Sequence, residues 1–188
     1  MLSSLSVSAL ASPLISRVVV SGGTHGNEYT GVYVVQRLGL QEQALRDAYP
    51  TLNIETLVAN PLAHKDNRRF VHADLNRMFT VAELADISGF GYEPNRAKAI
   101  QAELGPKGPN AAADMIVDLH TTTANMGCTL IVDEWCPLAI HAAAYVASRW
   151  NTVRYIYLYL DLLKTRPDLD ALQRQHVGPT AHKLCIAT

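Results

Sequence analysis

The chain has 188 residues, enough for one domain with a sizeable core. Hydrophobic residues make up 48% and charged residues 18%, the balance of an ordinary globular protein rather than a disordered one. A net charge of -1 without a polybasic run argues against nucleic acid or a membrane surface as partner, and no apolar run reaches the length of a membrane span.

The first 16 residues, MLSSLSVSALASPLIS, are Ser/Leu-rich and lack acids, but no basic side chain precedes Arg17 and a β-branched run follows at once. A cleaved targeting segment is therefore not expected. RVVVSGG (17–23) reads as a buried strand ending in glycines. Glu28 to about Leu40 reads as a helix with Val32, Val35 and Leu38 at its apolar positions. NIETLVANP (53–61) is a second strand, stopped by Pro61. HKDNRRFVHADLNRMF (64–79) is polar and without period, which predicts a long surface loop. RAKAIQAEL (96–104) sets Ala97, Ile100, Gln101 and Leu104 along one helical stripe, and Gly105-Pro106 stops it. MIVDLHTTTANMG (115–127) is a strand running into a Thr/Asn-rich loop, and CTLIVD (128–133) is another strand. LAIHAAAYVASRW (138–150) reads as a helix and VRYIYLYL (153–160) as a final strong strand.

No repeat or low-complexity linker divides the chain, so residues 1–188 are expected to form a single domain. Strands alternating with helices predict an α/β fold with a mixed, largely parallel sheet flanked by helices. In such sheets the site lies at the carboxyl ends of the strands. His25 and His120 both fall just past such ends. The three cysteines, Cys128, Cys136 and Cys185, fit neither a metal clip nor a disulfide framework. Reduced thiols and a cytoplasmic location are expected.

His25 and Glu28 form an H-x-x-E pair that a helical turn would bring to one face. Both are usable zinc ligands, and two histidines with one glutamate make a recognised catalytic set with a position left for water. Alone, H-x-x-E equally describes a polar helix start with a glutamate near the positive end of the dipole. Glycines around His25 would let backbone approach a ligand closely. The third ligand would be His120, which otherwise reads as a strand-end histidine bonded to its loop. Asp118, two residues earlier on the same strand face, could orient that ring. His64, His72, His141 and His182 read as surface residues. Arg68, Arg69 and Arg77 cluster on the 64–79 loop around Asn76, either as a solvated basic loop or as an anion site of guanidinium forks.

GGTHGNEYTGVYVV, DLNRMF and DLHTTTANMGCTLI, in that order, resemble the aspartoacylase branch of the aspartoacylase/succinylglutamate desuccinylase family, which is itself similar to the zinc carboxypeptidases. The resemblance covers residues 17 to about 160. It implies a zinc carboxypeptidase-like fold and one zinc per chain, held by His25, Glu28 and His120. It implies that Arg69 polarises the scissile acyl carbonyl and that Asn76 and Arg77 bind the amino-acid carboxylate. The implied reaction is hydrolysis of a small N-acyl amino acid, N-acetylaspartate being the type substrate, by a zinc-activated water. A glutamate from an I-E-V-G-P segment would serve as general base.

That segment is where the sequence departs from the family. QRQHVGPTAHKLCIAT keeps V-G-P, but His176 stands where the glutamate is expected. A second alignment sets LCIAT against the segment and puts Ala187 at that position. Arg166 is a candidate remnant of a substrate-binding arginine. Residues 161–188 thus read as divergent or truncated, and the β-rich C-terminal domain of the family is expected to be absent. Apolar surface left uncovered by that domain would favour self-association into a homo-oligomer. Three other readings stay open: a zinc-binding family member impaired by loss of the base, an N-acyl aromatic amino acid deacylase, and a metallocarboxypeptidase.

Overall fold

The computed structural model describes residues 15–105, 112–122, 127–133, 137–158 and 182–187. In chain order the elements are β1 (Arg17–Gly22), α1 (Tyr29–Gly39), α2 (Glu42–Ala48), β2 (Asn53–Val58), α3 (Pro61–Lys65), a one-turn 3-10 helix (Leu75–Arg77), α4 (Val81–Ala85) and α5 (Tyr92–Leu104). They continue as β3 (Met115–His120), β4 (Thr129–Asp133), α6 (Pro137–Arg149), β5 (Arg154–Leu158) and β6 (His182–Ala187). The six strands form one sheet in the order β2-β1-β3-β6-β4-β5. Four ladders are parallel and the β4–β6 ladder is antiparallel, so the sheet is mixed and largely parallel, as the alternation predicts.

Helices cover both faces. Val19 and Ile116 point to one face, where Ala97, Ile100 and Leu104 of α5 pack with Leu57 and the fully buried Leu75. Val18, Met115 and Val117 point to the other, where Leu130 and Val132 meet Ala139 and Ala143 of α6. The predicted α5 stripe is therefore real; Gln101 lies at its half-buried edge. Burying each large aliphatic side chain on these faces contributes on the order of 1.5–3 kcal/mol. No helix among the described residues is long and apolar enough to cross a membrane.

Two expectations change. Pro61 follows the end of β2 but also opens α3 as its first residue, and the buried Asn60 side chain caps that helix by accepting from Ala63 N at 3.3 Å. The larger change is β6. His182–Ala187 lies in the tail read as divergent, yet it is an interior strand, parallel to β3 and antiparallel to β4. Six residues without clear alternation carry too little pattern to mark a strand whose hydrogen-bonding edges are both occupied.

The strand-to-helix turn after β1 is packed backbone against backbone. A side chain on Gly22 would strike the Gly31 backbone of α1, and one on Gly31 would lie 2.7 Å from the Leu119 carbonyl of β3. The glycines thus serve the chain's own close contacts. Helix propensity alone predicts that Gly31→Ala stabilises α1 by about 1 kcal/mol. The contact with Leu119 predicts the opposite, because overpacking costs about 1–3 kcal/mol. A net loss of stability in thermal or urea unfolding is expected.

Candidate metal centre

The site is built at the carboxyl ends of β1 and β3. Beyond β1 the chain turns tightly, with Glu28 N donating to His25 O at 3.0 Å. Glu28 sits at the N-cap of α1, and the helix starts only at Tyr29. The i, i+3 pairing of His25 and Glu28 therefore comes from this turn and not from a helical face. Both residues are buried, at 5% and 6% exposure.

Glu28 is the centre of the cluster. Its Oε1 lies 2.6 Å from His25 Nδ1, and its Oε2 lies 3.0 Å from His120 Nδ1. Oε2 also accepts from Thr121 N at 2.8 Å. Burial alone would raise the Glu28 pKa, but the hydrogen bonds from His120, His25 and Thr121 N outweigh it and bring it down to about 2. His120 answers in the opposite sense. Burial would lower its pKa, while Asp118 and Glu28 on either side of the ring raise it to about 9.

The far nitrogens of both rings meet carboxylates. His120 Nε2 lies 2.9 Å from Asp118 Oδ2, and His25 Nε2 lies 3.2 Å from Asp74 Oδ1. Asp118 is itself held by the Thr24 hydroxyl at 2.9 Å, and Asp74 by Asn76 N at 3.0 Å. The Asp74 pKa would rise with burial but is lowered on balance by Asn76 N, His25 and Arg69.

Could this group hold a metal ion? One ligand atom each from His25, Glu28 and His120 lies within 4.8 Å of the others. Two imidazoles and one carboxylate, with both outer nitrogens tied to acids, match the donor chemistry and the supporting shell of a divalent metal site. The residues present therefore fit a metal ion.

The other predicted residues divide. Arg69 arrives at the rim, its guanidinium 3.8 Å from Glu28 Oε1 and 3.6 Å from Asp74 Oδ2, with half its side chain exposed. Asn76 reaches within 3.5 Å of His25 Nε2. Arg77 follows on the same 3-10 turn, is exposed, and forms no ion pair with the described residues. Arg68 is exposed. Arg166 and His176 lie outside the described residues. In the β3–β6 register, Ala187 stands opposite His120. The alignment through LCIAT therefore has a strand beside the site, with Ala187 at its end. His64, expected at the surface, is half-buried and donates from Nδ1 to Gly26 O at 2.9 Å, where it also meets the Tyr29 ring. Sequence reasoning overlooked Asp74 and Thr24. The only signal for Asp74 was its place in DLNR, where it caps the 3-10 turn.

Two measurements follow from this geometry. A metal binding Nδ1 of His120 must displace its proton, which the two carboxylates hold up to about pH 9. Affinity should therefore rise about tenfold per pH unit below about pH 9 and level off above it, as read by chelator competition. Asp118→Asn should weaken metal binding about 10–100-fold by releasing the His120 ring. An unchanged dissociation constant would remove Asp118 from the supporting shell.

Comparison with known proteins places the chain in a family. The family model of the succinylglutamate desuccinylase/aspartoacylase catalytic domain matches residues 15–154. The protein named "Probable aspartoacylase" from Trichodesmium erythraeum (strain IMS101) is 43% identical over 135 residues, 71% of this chain and 45% of that protein. The N-acyl-aromatic-L-amino acid amidohydrolase (carboxylate-forming) B of Danio rerio is 38% identical over 180 residues, 90% of this chain and 57% of that protein. The chain thus spans about half the length of the curated relatives it matches. Among solved structures, murine aminoacylase 3 superposes with a TM-score of 0.74 at 27% identity, covering 94% of this chain and 56% of that one. A metallo-carboxypeptidase from Burkholderia cenocepacia shares the fold, with a TM-score of 0.58 at 16% identity over 93% of this chain and 48% of that one. With the fold, the histidine–glutamate cluster and a domain match running from β1 to the start of β5, the chain belongs to the succinylglutamate desuccinylase/aspartoacylase family.

Proposed function

We propose that this chain carries the centre of a zinc-dependent amidohydrolase for N-acyl amino acids, with one zinc per chain held by His25, Glu28 and His120. The observation that carries the reading is the convergence of two imidazoles and one carboxylate within 4.8 Å, inside the matched family domain. Zinc in a His₂Glu set polarises a carbonyl and brings the pKa of its water toward neutrality. The remaining work falls to the chain's own side chains. Asp74 and Asp118 keep the outer nitrogens of both rings engaged, so that Nδ1 faces inward. Arg69, beside Glu28 with half its side chain in solvent, is suited to donate to the acyl oxygen as negative charge develops there. Asn76 and Arg77 would take the substrate carboxylate, and Arg166 would assist. An arginine-rich rim suits a dicarboxylate such as N-acetylaspartate. The zebrafish relative, matched over 90% of this chain, supports N-acyl aromatic amino acids as the competing class.

Proton transfer favours a second reading. Ala187 is level with His120, and in the alignment through LCIAT it takes the place of the family glutamate; a methyl group accepts no proton. On this reading the chain binds zinc but turns over slowly, with His176 as the remaining candidate base. Loss of a general base costs about 10²–10⁴-fold in rate.

Metal analysis with a hydrolysis assay tests both. One zinc per chain is expected, lost in Glu28→Ala. Slow, zinc-dependent release of acetate from N-acetyl-L-aspartate or N-acetyl-L-phenylalanine is expected, with the faster of the two naming the substrate class. Ala187→Glu should raise the rate by about 10²-fold or more. A wild-type chain that takes up no zinc would overturn the proposal. Zinc uptake without turnover in either protein would leave the binding reading alone standing.

A further inference from the structure

Glu93 is a buried acid that no step above uses. It lies in the first turn of α5 at 0% exposure. Among the described residues no lysine or arginine pairs with it; its nearest cation candidate is His72 Nδ1 at 3.9 Å. Its carboxylate is satisfied by neutral donors. Oε1 accepts from Val71 N at 2.6 Å and from Asn60 Nδ2 at 3.1 Å. Oε2 accepts from His72 N at 2.9 Å and from Ala73 N at 3.2 Å. Three successive backbone N–H groups and the N-terminus of a 13-residue helix make an anion seat. Burial would raise the Glu93 pKa, and these hydrogen bonds lower it on balance.

The position of that seat matters. Residues 71–73 are the short span between Arg69 and Asp74. On one side, Arg69 O accepts from Gly26 N at 3.0 Å and its guanidinium lies by Glu28. On the other, Asp74 Oδ1 meets His25 Nε2. Asn60, the fourth partner of Glu93, donates its backbone N–H to Gly23 O at 3.1 Å, in the turn that leads to His25. One carboxylate thus ties the arginine loop to the histidine turn.

We propose that Glu93 is a positioning residue of the metal centre: by gripping the backbone at 71–73 it sets Asp74 against His25 and Arg69 beside Glu28. The proposal rests on reading His25, Glu28 and His120 as a metal site. An apolar residue at position 93 could fill the space but would leave three N–H groups unpaired, so the loop would move to satisfy them.

The test is zinc affinity by chelator competition on the whole chain, with a double-variant cycle. Glu93→Gln has one acceptor oxygen for four donors. It should weaken zinc binding about tenfold, as should Asp74→Asn. Because Glu93 acts through Asp74, the double variant should be little weaker than either single one. A folded Glu93→Gln that binds zinc within about twofold of wild type, or losses that multiply in the double variant, would overturn the proposal. Glu93→Asp, which keeps the charge but shortens the reach, is measured in the same way if Glu93→Gln does not fold. Amide exchange in the wild-type chain needs no variant: Val71, His72 and Ala73 should be protected, and free exchange there overturns the anchoring. A wild-type chain that binds no zinc defeats the metal reading, while protection at 71–73 still judges the grip of Glu93 by itself.

Discussion

The site depends on one buried carboxylate. Glu28 at 6% exposure can stay charged only because His25, His120 and Thr121 N all face it. Those partners come from two strands and from positions up to 93 residues apart in sequence. Removing a charge from water is costly, so the surrounding donors have to be in place before the acid can be buried. The result is a buried cluster of acids and imidazoles whose donor chemistry fits a divalent cation. The acids outnumber the rings: Glu28, Asp74 and Asp118 surround His25 and His120.

Backbone packing makes that assembly possible. Gly22, Gly31 and Leu119 bring β1, α1 and β3 into direct contact. Gly26 lies equally close to the Ala63 and His64 backbone, and the His64 ring donates to its carbonyl. The turn that presents His25 is therefore clamped on one side by α3 and on the other by the sheet. Glu93 extends the clamp to the loop that carries Arg69 and Asp74. A loop with little regular structure becomes precise enough for chemistry when its N–H groups are claimed by a fixed acceptor.

β6 holds the two parts of the sheet together. β2, β1 and β3 form one parallel block, and β4 with β5 forms another of opposite direction; both pair with β6. The same strand ends beside His120, so architecture and chemistry meet in the six residues His182–Ala187.

The sequence by itself determined the first five strands, the three long helices and most of the candidate metal set. The β-branched run at 17–20 and the MIVDLH strand are apolar toward both faces of the sheet, α5 carries one apolar stripe, and these local patterns are enough to read them. The three family-like stretches contain His25, Glu28, His120 and Asn76, and the resemblance they carry implied Arg69 on the loop before the second of them. Tertiary structure alone decided three things. It made β6 an interior strand, which depends on neighbours more than fifty residues away and not on the composition of HKLCIA. It turned Asp74 toward His25, which needed the loop folded back across the site. It buried Glu93 under three backbone N–H groups about twenty residues distant. The physical reason is common to all three. Periodicity records which face a residue turns inward, whereas hydrogen-bond partners across long sequence separations exist only once the chain has closed.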